Sequence, residues 1–137
     1  MIQLEIPWEP TSWLAPIKGK YVFYDPRASE KKATRFLISQ TYTDPPLTVP
    51  TVIEFTFHFR IPKYASKKKR SDMLAGRVIP TKKDVSNLVK LYEDCLKKIV
   101  IDDDRNVAKI FSEKLYAEKD MTIIKVYTLE EYANNRR

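Results

Sequence analysis

The sequence predicts an α+β fold: a two-layer sandwich with a largely antiparallel mixed sheet and two helices on one face. Three observations carry this reading. Ile53, Phe55, Phe57, Phe59 and Ile61 alternate with Glu54, Thr56, His58 and Arg60, the period of two that buries one face of a strand. Val85, Leu88, Tyr92, Cys95 and Ile99 recur at steps of three and four, the apolar stripe of a helix that must lie on a sheet. The chain of 137 residues is 43% hydrophobic, enough for one core and short for two, so residues 1–137 are read as a single domain.

The elements follow in order. Ile2, Leu4, Ile6 and Trp8 alternate with Gln3, Glu5 and Pro7 as a first strand, which the prolines at 7, 10 and 16 terminate. Tyr21 to Tyr24 is a short second strand that stops at Asp25-Pro26. From Ser29, the residues Ala33, Phe36, Leu37 and Gln40 fall at helical spacing, giving a first helix. Asp44 to Pro50 is a proline-rich loop before the strand at 53–61. Residues 62–83 show no sustained periodicity and are expected to form a mobile loop. The second helix starts after Asp84, and its polar face carries Asn87, Lys90 and Asp94. Val107 to Tyr116 and Met121 to Tyr127 are strands joined by Ala117-Glu118-Lys119-Asp120, the expected turn of a closing hairpin.

Composition excludes several functions. No apolar run is long enough to span a bilayer, and the start MIQLEIPWEP has neither region of a signal peptide, so no membrane partner is expected and the protein is expected to stay in the cytoplasm. The single cysteine, Cys95, belongs to the apolar stripe and permits no internal disulfide. The net charge of +7 is concentrated: between Pro62 and Lys83 stand eight basic residues, Lys63, Lys67, Lys68, Lys69, Arg70, Arg77, Lys82 and Lys83, against one acid, Asp72. The remainder has 17 basic and 17 acidic residues. Such a segment suits phosphate binding, because each neutralised phosphate releases counterions. A solvated loop or, for Lys67 to Arg70, a nuclear import signal are the competing readings.

Asp84 directly follows this segment, and Asp102, Asp103 and Asp104 follow the helix that begins there. Asp84 suits an N-cap, and the later acids with Arg105 and Asn106 suit a polar turn. Alternatively, a strand returning alongside the helix would bring the acids near its polar edge, where clustered carboxylates require a cation. Magnesium takes hard oxygen ligands and keeps waters that attack phosphate. His58 lies on the polar face of its strand and is read as solvated; Trp8, Trp13, Tyr24 and Tyr64 are read as packing residues rather than base-stacking ones.

The opening strand and its proline-rich turn, the stretch KYASKKKRSDMLAG, the helix DVSNLVKLYEDCLKK and the exit DDDRNV resemble the RusA-type Holliday junction resolvases. The resemblance implies a homodimeric endonuclease that nicks opposed strands of a four-way DNA junction, with Mg2+ as cofactor and no small-molecule cofactor. It matches Asp84 to the family's first acid, Asn87 to its Asn, Lys90 to its Lys and Asp103-Asp104 to its acidic pair. Asp84, Asp104 and Asp103 would hold the metal, Lys90 would offset charge on the phosphate, and Asn87 would orient a ligand or the DNA backbone. Lys67, Lys68, Lys69, Arg70, Arg77, Lys82 and Lys83 form the expected DNA-binding set. Asp94, one turn beyond Lys90, is expected to pair with it. Ser86 stands where the family has its second acid, so reduced activity is expected. The resemblance also implies work at the nucleoid in bacteria, prophages or phages, in recombination, repair or replication. Two other functions compete: a junction-binding protein with weakened cleavage, and a scaffold whose basic segment binds an acidic protein.

Overall fold

The structure, a computed structural model, describes residues 1–135. The alternating stretch forms β4 (Thr51–Arg60), at the inside of a four-stranded sheet. Before it come β1 (Ile2–Ile6), β2 (Ile17–Lys18), β3 (Phe23–Tyr24) and α1 (Ala28–Thr41). After it come α2 (Lys67–Leu74), α3 (Val85–Leu96), β5 (Val107–Ala117), β6 (Met121–Thr128) and α4 (Leu129–Asn135).

The strand order is β1-β6-β4-β5, with β6 antiparallel to β1 and β4, and β5 parallel to β4. The sheet is therefore mixed and mainly antiparallel, as expected. The closing hairpin is not. β5 and β6 form, but β4 lies between them, and residues 118–120 arch over its end. There the Arg60 amide donates to Asp120 Oδ1 at 2.9 Å and the Ile61 amide to the Ala117 carbonyl at 3.0 Å. The α3 crossover lays β5 parallel on one edge of β4, which leaves β6 the other edge.

Leu4, Ile6, Ile38, Phe55, Phe57, Leu88, Tyr92 and Ile124 belong to one buried cluster, so α1 and α3 share a face of the sheet. Each fully buried large side chain contributes roughly 1.5–3 kcal/mol. The opposite face is not bare. Tyr132 of α4 meets Phe111 and Tyr127, with ring centroids 5.7 Å away in each pair. Phe111 stands beside Glu54 in the ladder and Tyr127 beside Val52, so both alternate away from Ile53 and Phe55.

The basic segment is also corrected: its middle is helix α2, not loop. Lysine and arginine are good helix formers, and Ser66 caps the first turn by accepting from the Lys69 amide at 3.2 Å. No apolar period announced it because none of its residues is buried. Among the described residues, no helix is long and apolar enough to cross a membrane.

Candidate active site

α3 opens at Asp84, whose backbone is extended at φ −76° and ψ 134° and whose side chain makes no capping hydrogen bond. The carboxylate has no ion pair among the described residues. Ser86 lies two residues further on, in the first turn of the helix. The Asn87 carbonyl accepts from the Trp13 amide at 2.9 Å. Lys90 places its ammonium 3.5 Å from the Trp13 ring centroid, a cation–π contact that fixes a long side chain. Lys90 is thus engaged by Trp13, while Asp94 pairs with Lys31 of α1 at 3.6 Å instead of with Lys90. The expected Lys90–Asp94 pair gives way because α1 brings its own lysine to that face.

The other acids lie at the far end. α3 has 12 residues, about 18 Å at the α-helical rise. Beyond it, Lys98 takes φ 70° in a tight turn, and the Asp102 amide donates to the Leu47 carbonyl at 2.9 Å. Asp103 accepts from the Arg105 amide at 2.9 Å; that bond, with help from Asp104, holds its carboxyl down to about 2. Asp104 lies 3.7 Å from Lys97 Nζ, and Asp102 lies 3.6 Å from Lys98 Nζ. β5 does run back alongside α3, since Lys114 donates to the Lys83 carbonyl at 2.8 Å. The aspartates, however, precede β5 and stay at its start. The structure thus groups Asp84, Asn87 and Lys90 at one end of α3 and Asp103 and Asp104 at the other. Among the described residues no group of three His, Cys, Asp or Glu stands together as a candidate metal site, and the acids at the two ends of α3 are about a helix length apart.

The seven basic residues divide. Lys67, Lys68 and Lys69 are exposed in the first turn of α2 and have no ion pair among the described residues. Arg70 pairs with Glu118, and Arg77 with Asp72 at 2.8 Å. Lys82 meets Glu9 at 2.7 Å; this hydrogen bond raises the lysine's pKa and lowers that of Glu9. Lys83 is half-buried, donates to the Pro10 carbonyl and lies 3.6 Å from Glu9; burial lowers its pKa.

The family model for endodeoxyribonuclease RusA matches residues 9–127. The chain belongs to the RusA endodeoxyribonuclease family. No curated protein matches it. The RusA match spans both acidic ends of α3 and the basic helix, and leaves outside it only β1 and α4 among the regular elements.

In this RusA-family chain, the roles of two residues escaped the sequence reading. Glu93 is half-buried, and burial first, then the charges of Asp104 and Asp94, push its pKa up. Its position three residues after Lys90 and four before Lys97 marks it as part of the same helix edge. Trp13 grips the start of α3 from a proline-rich loop, and no sequence signal connects it to residues more than seventy positions away. Cys95 is buried in the core, with its thiol pushed up to about 12 by burial, which makes it inert. Tyr24 and Tyr64, read as packing residues, are instead 52% and 87% exposed.

Proposed function

We propose that the protein is a magnesium-dependent, structure-selective endodeoxyribonuclease that works as a homodimer on four-way DNA junctions during recombination or repair. Membership of the RusA family supports the nuclease reading. The observation that carries the dimer is the separation of Asp84 from Asp103 and Asp104 by the length of α3. A second copy, running the opposite way, would lay its acidic turn beside Asp84 and give two like sites related by a two-fold axis. Asp84 of one copy with Asp103 and Asp104 of the other would then hold the magnesium, which when bound lowers the pKa of a water that attacks phosphate. Lys90, steadied by Trp13, offsets charge gathering on the phosphate. Lys67, Lys68 and Lys69 add positive charge to the already positive N-terminal end of α2, a combination that a DNA phosphate relieves.

The edge strand β5 is the surface that supports such a pairing. It ends the sheet, and residues 108–113 are exposed throughout, Ile110 at 39% and Phe111 at 47%. Long bare edges pair unless protected. A two-fold axis normal to the sheet keeps the helices of both copies on one face, and it must pass through a residue for facing side chains to share a face. With Phe111 on that axis, Lys109 of each copy falls opposite Glu113 of the other, an opposite-charge pair formed twice. Lys114, which holds the start of α3, then faces Ala108 of the second copy, close to that copy's acidic turn. Lys109→Glu or Glu113→Lys alone should weaken dimerisation roughly tenfold, while an equimolar mixture of the two variants should pair as well as wild type. Sedimentation equilibrium decides this, and unaltered dimerisation of both single variants would remove β5 from the interface.

Ser86, beside Asp84 in place of an acid, favours a second reading, a junction binder with weakened cleavage. Incubating a four-way junction and an equal-length duplex with the protein, with and without magnesium, separates the two. Nicking that needs both the junction and magnesium supports the nuclease; tight junction binding without nicks supports the binder.

A further inference from the structure

Between the segment that grips α3 and the start of α1 the chain makes a small hairpin, β2 against β3, with Ile17 opposite Tyr24 and Lys18 opposite Phe23. Its tip is closed by the Gly19 amide donating to the Val22 carbonyl at 2.8 Å. A Cβ at Gly19 would lie 2.8 Å from that same carbonyl oxygen, so the tip is built for glycine. The side chains it displays are apolar and bare: Tyr21 is 86% exposed, Val22 and Phe23 69% each, and Tyr24 52%. None of them joins the core cluster.

An isolated two-stranded hairpin gains little from its own contacts, and four adjacent bare apolar side chains point to a partner rather than to folding. The charges say which. From Thr11 to Tyr24 there is no acid, while Lys18 and Lys20 flank the tip and Lys20 Nζ lies 5.4 Å from the Tyr21 ring centroid. Aromatic faces beside ammonium groups fit a nucleobase with its phosphate, since any base offers a π-face and the backbone an anion. In an intact duplex those faces are covered by neighbouring bases. They are open only where the stack is broken.

The location agrees with a role beside the nuclease site. Trp13, four residues before β2, donates to the Asn87 carbonyl and lies under Lys90. On the far side of the hairpin, Arg27 Nε donates to the Ser12 carbonyl at 3.0 Å, closing the base of the excursion. We propose that this hairpin is a stacking wedge that takes an unstacked base of branched DNA, using Tyr21 and Phe23 as the platform and Lys18 and Lys20 against the flanking phosphates. The proposal rests on the reading of the protein as a nuclease of branched DNA, and it gives that reading a means of telling a branch from a duplex.

The test compares wild type with Tyr21→Ala/Phe23→Ala, whose changes are at exposed positions, and with Gly19→Ala, which removes no aromatic ring. Binding is measured without magnesium to a four-way junction, to an equal-length duplex and to oligothymidine. Junction and oligothymidine affinity should fall roughly tenfold or more in both variants, with duplex affinity changed less than twofold. Tyr21→Trp/Phe23→Trp should bind like wild type. An equal loss on junction and duplex, or no loss, overturns the wedge. If wild type shows no junction preference, the nuclease reading fails by itself, and the oligothymidine arm decides the wedge: a loss in the variants supports it and unchanged binding overturns it. A fall in light-scattering mass for the alanine variant would assign the hairpin to a contact between copies of the chain and overturn the proposal.

Discussion

At the start of α3, the Asp84 carboxylate makes no capping bond and no ion pair among the described residues, whereas at the end of the same helix Asp102, Asp103 and Asp104 each lie beside a cation. Helix electrostatics account for the contrast. The N-terminal end carries partial positive charge, so a lone acid is tolerated there without a partner. The C-terminal end carries partial negative charge, and Glu93, Asp94 and three aspartates add to it. Lys97, Lys98 and Lys31 offset them, and Arg35 of α1 donates from Nη1 to the carbonyls of Asp94, Cys95 and Lys97 at 3.1, 3.2 and 2.8 Å. One end is therefore open toward a ligand, and the other is held in place. Among the described residues neither end gathers three metal-ligating side chains, and the proposed dimer would bring the two ends together.

The largest effect should come from breaking either end. Asp84→Asn and Asp104→Asn are each expected to lower junction nicking by about two orders of magnitude or more. If the ends act across the dimer, re-equilibrating the two dead variants together restores one intact site in each mixed dimer, roughly a quarter of all sites. Nicks counted on a labelled junction give the answer, and a mixture as inactive as its parts would place each site within one chain.

Neutralising Lys67, Lys68 and Lys69 comes next. The slope of log affinity against log salt should flatten by about 0.9 for each phosphate that the protein no longer neutralises. The same treatment of Arg70 and Arg77 should do less, because Glu118 and Asp72 already engage them. Equal slopes for the two sets would mean that those ion pairs open on DNA.

Arg35→Ala tests the held end. Three carbonyls at the end of α3 are deprived of a charged donor, which should cost about 2–3 kcal/mol and lower the thermal midpoint while leaving DNA affinity unaltered. An unmoved midpoint would show that core packing alone secures that end. The smallest effect is expected at Ser86. Ser86→Asp adds a carboxylate to the open end and should lower the magnesium concentration for half-maximal nicking a few-fold. Superimposable titrations of both proteins would put position 86 outside the metal's surroundings.

Much of the fold was legible in local pattern. The alternation at 53–61 and the stripe from Val85 to Ile99 report which face of each element is wet, a property of the element itself. The concentration of charge before Asp84 and the spacing of Asp84, Asn87, Lys90, Asp103 and Asp104 were equally readable, because they are properties of composition and order. α2 was missed although Ser66 and its run of lysines and arginine favoured a helix: periodicity sees only helices with a buried face, and α2 has no buried residue.

What sequence determined by itself was the class of the elements, the basic segment and the set of acids. Tertiary structure alone decided who meets whom. Alternation cannot say which strand is a neighbour, so β4 between β5 and β6 was invisible, and with it the bare edge at 108–113. The partners that silence Lys82 and Lys83 come from Glu9 and Pro10, more than seventy residues away. Likewise Trp13 reaches Lys90, and the start of β5 keeps Asp104 a helix length from Asp84. These are long-range contacts fixed by the packing of whole elements, and no short window of sequence contains both members of any such pair.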